Sequence, residues 1–209
     1  QKTAYEIRNC DWSSDVCSSD LMLVMEELVE EFQDVFDDSE IKPARGDPIT
    51  IKLKPNAVPV HSSTVMPIPI AYRKKGEEIL ADMESSGIIE RVNHSTDWCS
   101  PSFWVPKPGG GIRFVTDYRG LNPFVIRPVH PFPTVNEVMT RVTSDAKAFM
   151  VVDATKYYWQ FALSEESKDL TAFLTPFGKY RYTRAPMGLA SSSDECCRRG
   201  DRSEEHTSE

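Results

Sequence analysis

Asp153 ends a continuous apolar run, Phe149-Met150-Val151-Val152. A carboxylate fixed at the end of a buried strand is a rigid support, and a hard divalent cation such as Mg²⁺ requires well-placed oxygen ligands. The same residue could instead cap the turn that follows, and spacing alone leaves both open. Upstream, Lys107 and Arg113 flank Gly109-Gly110-Gly111. Two cations on an exposed hairpin are most often simply solvated. Asp117 and Arg119 alternate onto one strand face, which suits a structural ion pair. Pro186-Met187-Gly188 is by composition an ordinary turn. Trp98, Phe103 and Trp104 could stack nucleic-acid bases or fill a core. Cys196-Cys197, taken with Cys99 and His94, lacks the spacing of a structural zinc site.

The elements that must position these groups are legible as pattern. Leu23, Leu28, Val29, Phe32, Val35 and Phe36 recur at near-helical spacing up to Asp37-Asp38-Ser39. From Asp47 to Pro69 the prolines 48, 55, 59, 67 and 69 interrupt short apolar runs, which predicts an extended connector laid on a surface. Tyr72, Ile79, Leu80 and Met83 share one helical face, and Gly87 stands where a C-terminal cap belongs. Two strands flank the glycine turn. Thr134-Val135-Asn136-Glu137 is a capping box opening a helix expected to bury Val138, Met139 and Val142. Strands are expected over 149–152, 157–163, 170–175 and 179–185. Helices and strands mix without strict alternation, so the fold class is α+β.

Both ends look foreign to this pattern. Arg202-Ser203-Glu204-Glu205-His206-Thr207-Ser208-Glu209 can be written AGA TCG GAA GAG CAC ACG TCT GAA. The reverse complement of that string, in a shifted frame, encodes Ser14-Asp15-Val16-Cys17-Ser18-Ser19-Asp20 and the start of Leu21. One DNA string thus accounts for both ends on opposite strands, as a sequencing-library adapter would, and 1–21 and 202–209 are expected to be disordered and to pack against nothing. The 209 residues carry a net charge of −8; without the two ends, 25 acids face 21 bases, a net of −4. A mildly acidic total does not argue against a nucleic-acid partner, because such a partner needs a basic cleft and not a basic average. Cys99, Cys196 and Cys197 make no disulfide framework, so a reducing compartment is expected. No run reaches the about 18 apolar residues of a membrane span.

Taken in order, Phe103-Trp104-Val105-Pro106-Lys107, the block from Ile112 to Asn122, Val151-Val152-Asp153, Thr175-Pro176-Phe177-Gly178 and Pro186-Met187-Gly188-Leu189 resemble the fingers and palm of a reverse transcriptase, that of gypsy-type LTR retrotransposons in particular. Phe32-Gln33-Asp34-Val35-Phe36 is similar to a segment such polyproteins carry between protease and polymerase. The resemblance implies right-hand polymerase architecture: a connector over 22–60, fingers over 61–127, the first part of the palm over 128–160, fingers again over 161–191, and the start of the continuing palm over 192–201. It implies that Asp153 is the first catalytic aspartate, a ligand of the two Mg²⁺ ions of nucleotidyl transfer. Tyr158 is then the ring packed under the sugar, excluding a ribose 2′-OH by volume, unless it is a core aromatic. Tyr157 stands where relatives carry Gly and could crowd the nucleotide. Lys107, Arg113, Met187 and Gly188 face the nucleotide, Asp117 and Arg119 organise the fingers, and Trp98 and Trp104 are candidate template contacts. The implied partners are a primer–template of RNA or DNA, deoxynucleoside triphosphates and the rest of a Pol polyprotein, in an intracellular retroelement particle and without a membrane. The hairpin with Tyr-x-Asp-Asp that such enzymes carry is not present after Asp153, so the chain reads as truncated before it. The alternative is a decayed or domesticated remnant without enzymatic activity, binding nucleic acid at most.

Overall fold

The computed structural model describes residues 5–9, 18–37, 40–131, 133–143, 148–152 and 154–205. In chain order the first elements are β1 (Tyr5–Asn9), α1 (Ser18–Glu31), α2 (Gln33–Phe36), α3 (Ile70–Ser85), β2 (Ile89–Arg91), β3 (Ser100–Pro106) and β4 (Ile112–Thr116). They are followed by α4 (Val135–Arg141), β5 (Ala148–Val152), α5 (Glu165–Lys168), β6 (Phe173–Thr175), β7 (Gly178–Tyr182) and α6 (Ala190–Glu205). The chain divides into two compact units, one of 1–40 with 131–155 and one of 41–130 with 156–209. The architecture is α+β.

The second unit holds the larger sheet, in the order β2-β7-β6-β3-β4, with β3 and β6 parallel and the other neighbours antiparallel. Its core gathers aromatic rings around Phe173, whose centroid lies 5.2 Å from those of both Phe114 and Tyr182. Such tilted ring pairs add to the burial of apolar area. Helix α3 delivers Leu80 and Met83 to this core, while Tyr72, expected on the same face, is exposed. Gly76 explains how closely α3 is approached: a Cβ there would stand 2.5 Å from Ile68 Cδ1 and 3.2 Å from the Trp104 ring. The helix ends in a Schellman motif, with the Ile88 N–H donating to the Met83 carbonyl at 2.9 Å and the Gly87 N–H to that of Glu84 at 3.0 Å. Gly87 takes φ 62°, as that motif requires.

The connector is more than surface dressing. Ile49 and Ile51 enter the core, Ile49 and Leu53 bridge to Leu163 and Val125, and the Ile51 N–H donates to Ser167 Oγ at 2.8 Å. Residues 41–60 therefore belong to the second unit, where a separate connector was expected.

Three expectations are corrected. Residues 157–160 form a 3₁₀ turn, not a strand, because Lys156 turns the chain with φ 53°. The capping box of α4 is present, with Thr134 and Glu137 exchanging bonds, yet Val138, Met139 and Val142 are exposed. Residues 5–9, expected to pair with nothing, run antiparallel to β5 from Tyr5↔Val152 to Asn9↔Ala148. An open strand edge presents unpaired N–H and C=O groups that template any extended segment, and Tyr-Glu-Ile-Arg-Asn alternates suitably.

Candidate functional site

Within the second unit, a cleft of about 490 Å³ opens between the end of α3, the β3–β4 hairpin, the 3₁₀ turn after Lys156 and the turn before α6. Its deep wall is apolar, with buried Met83, Ile112 and Tyr182, while Lys107, Arg113, Lys156 and Met187 line it as exposed side chains. The β3–β4 pairing carries Lys107 and Arg113 to this mouth, and the Lys107 N–H closes the loop on the Gly111 carbonyl at 3.1 Å. The three glycines of the loop all take positive φ, from 85° to 97°, which side-chain-bearing residues rarely adopt.

On the turn before α6, Met187 is 51% exposed and Gly188 takes φ 84°, and a Cβ placed on Gly188 would stand 4.0 Å from the Thr116 carbonyl. Asn122 holds this turn in place. Its Nδ2 donates to the Gly188 carbonyl at 2.9 Å, and its Oδ1 accepts from the Ala190 N–H at 2.8 Å, capping α6. Under the cleft, Tyr182 Oη and Thr116 Oγ1 lie 3.3 Å apart. Burial pushes the Tyr182 phenol up to about 12, so it stays protonated at neutral pH.

Lys107, Arg113, Met187 and Gly188, separated by up to 81 positions of sequence, thus share one cleft. The tyrosines do not line it. Tyr157 donates to the Cys196 carbonyl at 2.8 Å, with its ring edge-on to Phe161, so its bulk is turned toward α6 and not into the cleft. Tyr158 Oη lies 3.3 Å from Ser193 Oγ on α6. Asp153 lies outside the described residues. Asp117 and Arg119 pair as expected, but across a 3₁₀ turn and not on a strand face. Asp117 accepts from the Arg119 backbone at 3.0 Å and from Nη2 at 2.6 Å, and those bonds hold its carboxyl below the usual range. Trp98 is 5% exposed, tilted against Phe124 in the core, and is removed from the template contacts. Trp104 is half-buried, its ring 4.9 Å from that of Phe114 and packed beside Gly76 of α3.

Two members of the site escaped the sequence. Lys156 follows the Asp153 block without a motif of its own, and its positive φ is invisible in the residue type. Asn122 stood inside a recognised block, but its partners are 66 and 68 positions away.

No family model matches the chain. A retrovirus-related Pol polyprotein from transposon 297 of Drosophila melanogaster is 30% identical over 139 residues, 64% of this chain and 13% of the polyprotein. That of transposon opus is 32% identical over 131 residues, 60% of this chain and 13% of its own length. An enzymatic polyprotein of Cestrum yellow leaf curling virus is 34% identical over 131 residues, covering 58% and 20%. Among solved structures, a prototype foamy virus protease-reverse transcriptase superposes with a TM-score of 0.68 at 18% identity, over 86% of this chain and 24% of that one. A foamy viral protease-reverse transcriptase in complex with an RNA/DNA hybrid gives 0.68 at 16% identity, over 88% and 24%.

The chain is similar in sequence to segments of retroelement and viral polyproteins, and in fold to foamy viral protease-reverse transcriptases. It spans between 13% and 20% of the length of these curated relatives. Its α+β fold is similar to that of the reverse transcriptase polymerase region. Among the described residues no group of three or more His, Cys, Asp or Glu could hold a metal ion, and no helix is long and apolar enough to cross a membrane.

Proposed function

We propose that the chain is part of an RNA-directed DNA polymerase of a gypsy-type LTR retrotransposon, and that the cleft between the β3–β4 hairpin and the Met187-Gly188 turn receives the incoming deoxynucleoside triphosphate. The observation that carries this reading is the meeting of Lys107 and Arg113 with Met187 and Gly188 in one cleft. Arg113 would brace phosphate oxygens through two parallel N–H donors, and Lys107 would add a point charge. Gly188 leaves backbone free to approach the ligand. Tyr158, set against Ser193 of α6, does not line this cleft and is given no part in receiving the nucleotide there.

Asp153 would supply one ligand to the two Mg²⁺ ions that nucleotidyl transfer employs. Mg²⁺ is commonly held by one or two carboxylates, with substrate phosphates and water completing its octahedron, so Asp153 would share the ions with the triphosphate. The partners are a primer–template, as in the foamy viral complexes, and the remainder of a Pol polyprotein, inside an intracellular retroelement particle.

Primer extension tests the reading. The 209-residue chain is expected to extend no primer with Mg²⁺ and all four deoxynucleotides. A longer protein from the same element, carrying the Tyr-x-Asp-Asp hairpin and thumb, is expected to extend it, and Asp153→Asn in that protein to abolish synthesis. In the same background Arg113→Ala should raise the nucleotide KM about tenfold, the loss of one charge-assisted contact. A fully active Asp153→Asn protein would show that the catalytic centre lies elsewhere.

A further inference from the structure

Charge around the cleft is locally inverted. The whole chain is acidic at −8, yet the cleft is lined by Lys107, Arg113 and Lys156 against a single acid, Asp82. The three cations share a second property: none makes an ion pair or a side-chain hydrogen bond among the described residues. Elsewhere in this unit several arginines are engaged, Arg127 by Asp194, Arg181 by Glu90, Glu165 and Asp169, and Arg198 and Arg199 by Glu195, while Lys42, Lys52, Lys74 and Lys75 are as free as the three but do not line the cleft. Unpaired cations grouped at a concave surface suit a ligand that carries several negative charges, because nothing in the protein competes for them.

Lys156 is set apart by its backbone. It is the one non-glycine with positive φ among the described residues, at 53°. Lysine gains nothing intrinsic there, having neither the freedom of Gly nor the local side-chain bonds of Asn or Asp. Residues kept in that region gather at ligand sites, where the surrounding fold over-determines them. Here the over-determination is visible: the Trp159 N–H donates to the Lys156 carbonyl at 2.9 Å, and Trp159 itself lines the cleft. The turn therefore fixes the Lys156 backbone at the mouth while leaving its side chain exposed.

We propose that Lys156 is a third cationic contact for the triphosphate, supplied by the 3₁₀ turn and not by the hairpin that carries Lys107 and Arg113. This rests on the nucleotide reading of the cleft and adds to it a specific positioning residue. Two cations on one hairpin grip phosphate from one side only. A third on a separate, rigid turn fixes the direction in which the triphosphate lies.

The test is calorimetric titration of the 209-residue chain with dTTP and with inorganic tripolyphosphate, without metal and at low ionic strength, where phosphate contacts are strongest. Lys156→Gly is the informative variant, since glycine accepts the same φ and removes only the side chain. Both ligands are expected to bind the parent chain, and Lys156→Gly to weaken both about fivefold, one phosphate contact being lost. Lys156→Arg should retain binding, and Lys74→Ala, an exposed cation of α3 outside the cleft, should leave it unchanged. Failure of the parent chain to bind either ligand, or Arg113→Ala without effect, overturns the nucleotide reading and this inference with it. Loss in Arg113→Ala with full binding by Lys156→Gly overturns the role of Lys156 alone, as does an equal loss in Lys74→Ala.

Discussion

Asp194 is 1% exposed on α6, and it accepts from Arg127 Nε at 2.8 Å and Nη2 at 3.0 Å. The Arg127 bonds, with help from the His130 backbone N–H, hold the Asp194 carboxyl below the ordinary carboxylate range against the opposing pull of burial. A folded-state value below the unfolded one means that the unfolded chain binds more protons in that window. This share of stability is therefore complete above about pH 4 to 5, the unfolded aspartate range, and is lost as pH falls through the lower folded value. The two ends of the pair are unequal, because Arg127 is half-exposed and Asp194 is not. Arg127→Ala leaves a buried carboxylate without its cation, whereas Asp194→Asn leaves an arginine that water can solvate. Urea midpoints at pH 7 should fall further for Arg127→Ala than for Asp194→Asn, and the gap should narrow at pH 4, where protonation relieves the orphaned carboxylate. Equal losses at both pH values would refute the asymmetry. Nothing in Ser-Ser-Ser-Asp-Glu-Cys-Cys announces this contact. A polar helical run reads as a solvated face, and its partner lies 67 positions away.

Elements show where local rules decide and where they do not. Gly87 was legible as a cap because a Schellman motif needs only the helix period and one residue tolerant of φ 62°. The hairpin tip was legible for the same reason. Tyr157-Tyr158-Trp159-Gln160 was not: aromatic residues favour strands, and the left-handed turn at Lys156 that converts the run to 3₁₀ has no signature in lysine. On α4 the capping box and the apolar period were both read correctly, but a period says which face is apolar and not what covers it. Gly87→Ala isolates the backbone contribution, since a Cβ there would meet nothing within 4 Å. It should cost about 1 kcal/mol, the penalty of placing an L side chain in the left-handed region, and Gly87→Asn should cost less. Urea denaturation followed by tryptophan fluorescence measures both; a neutral Gly87→Ala would mean that the α3–β2 corner relaxes to another turn.

At the scale of the whole molecule, β1 poses a question that pairing alone does not answer. The strand runs antiparallel to β5, and both belong to the first unit. The DNA string shared by the two ends is the ground for expecting residues 14–21 to be foreign to the protein, and an edge with open N–H and C=O groups accepts an adventitious partner as readily as an evolved one. The two origins differ in energetic consequence. An evolved terminal strand is matched to its neighbours by side-chain packing, whereas an adventitious one gains little beyond its backbone bonds. Removing residues 1–17 leaves Trp98, Trp104 and Trp159 as the only tryptophans, all within the second unit. Their fluorescence then reports that unit alone. If 1–17 are adventitious, the truncated chain should unfold in urea at the same midpoint as the parent, within about 0.5 kcal/mol, the range of changes away from packed features. It should keep its affinity for dTTP as well, because every group lining the cleft lies between 79 and 188. A drop of about 2 kcal/mol or more would show instead that the terminal strand is coupled to the fold that carries the cleft.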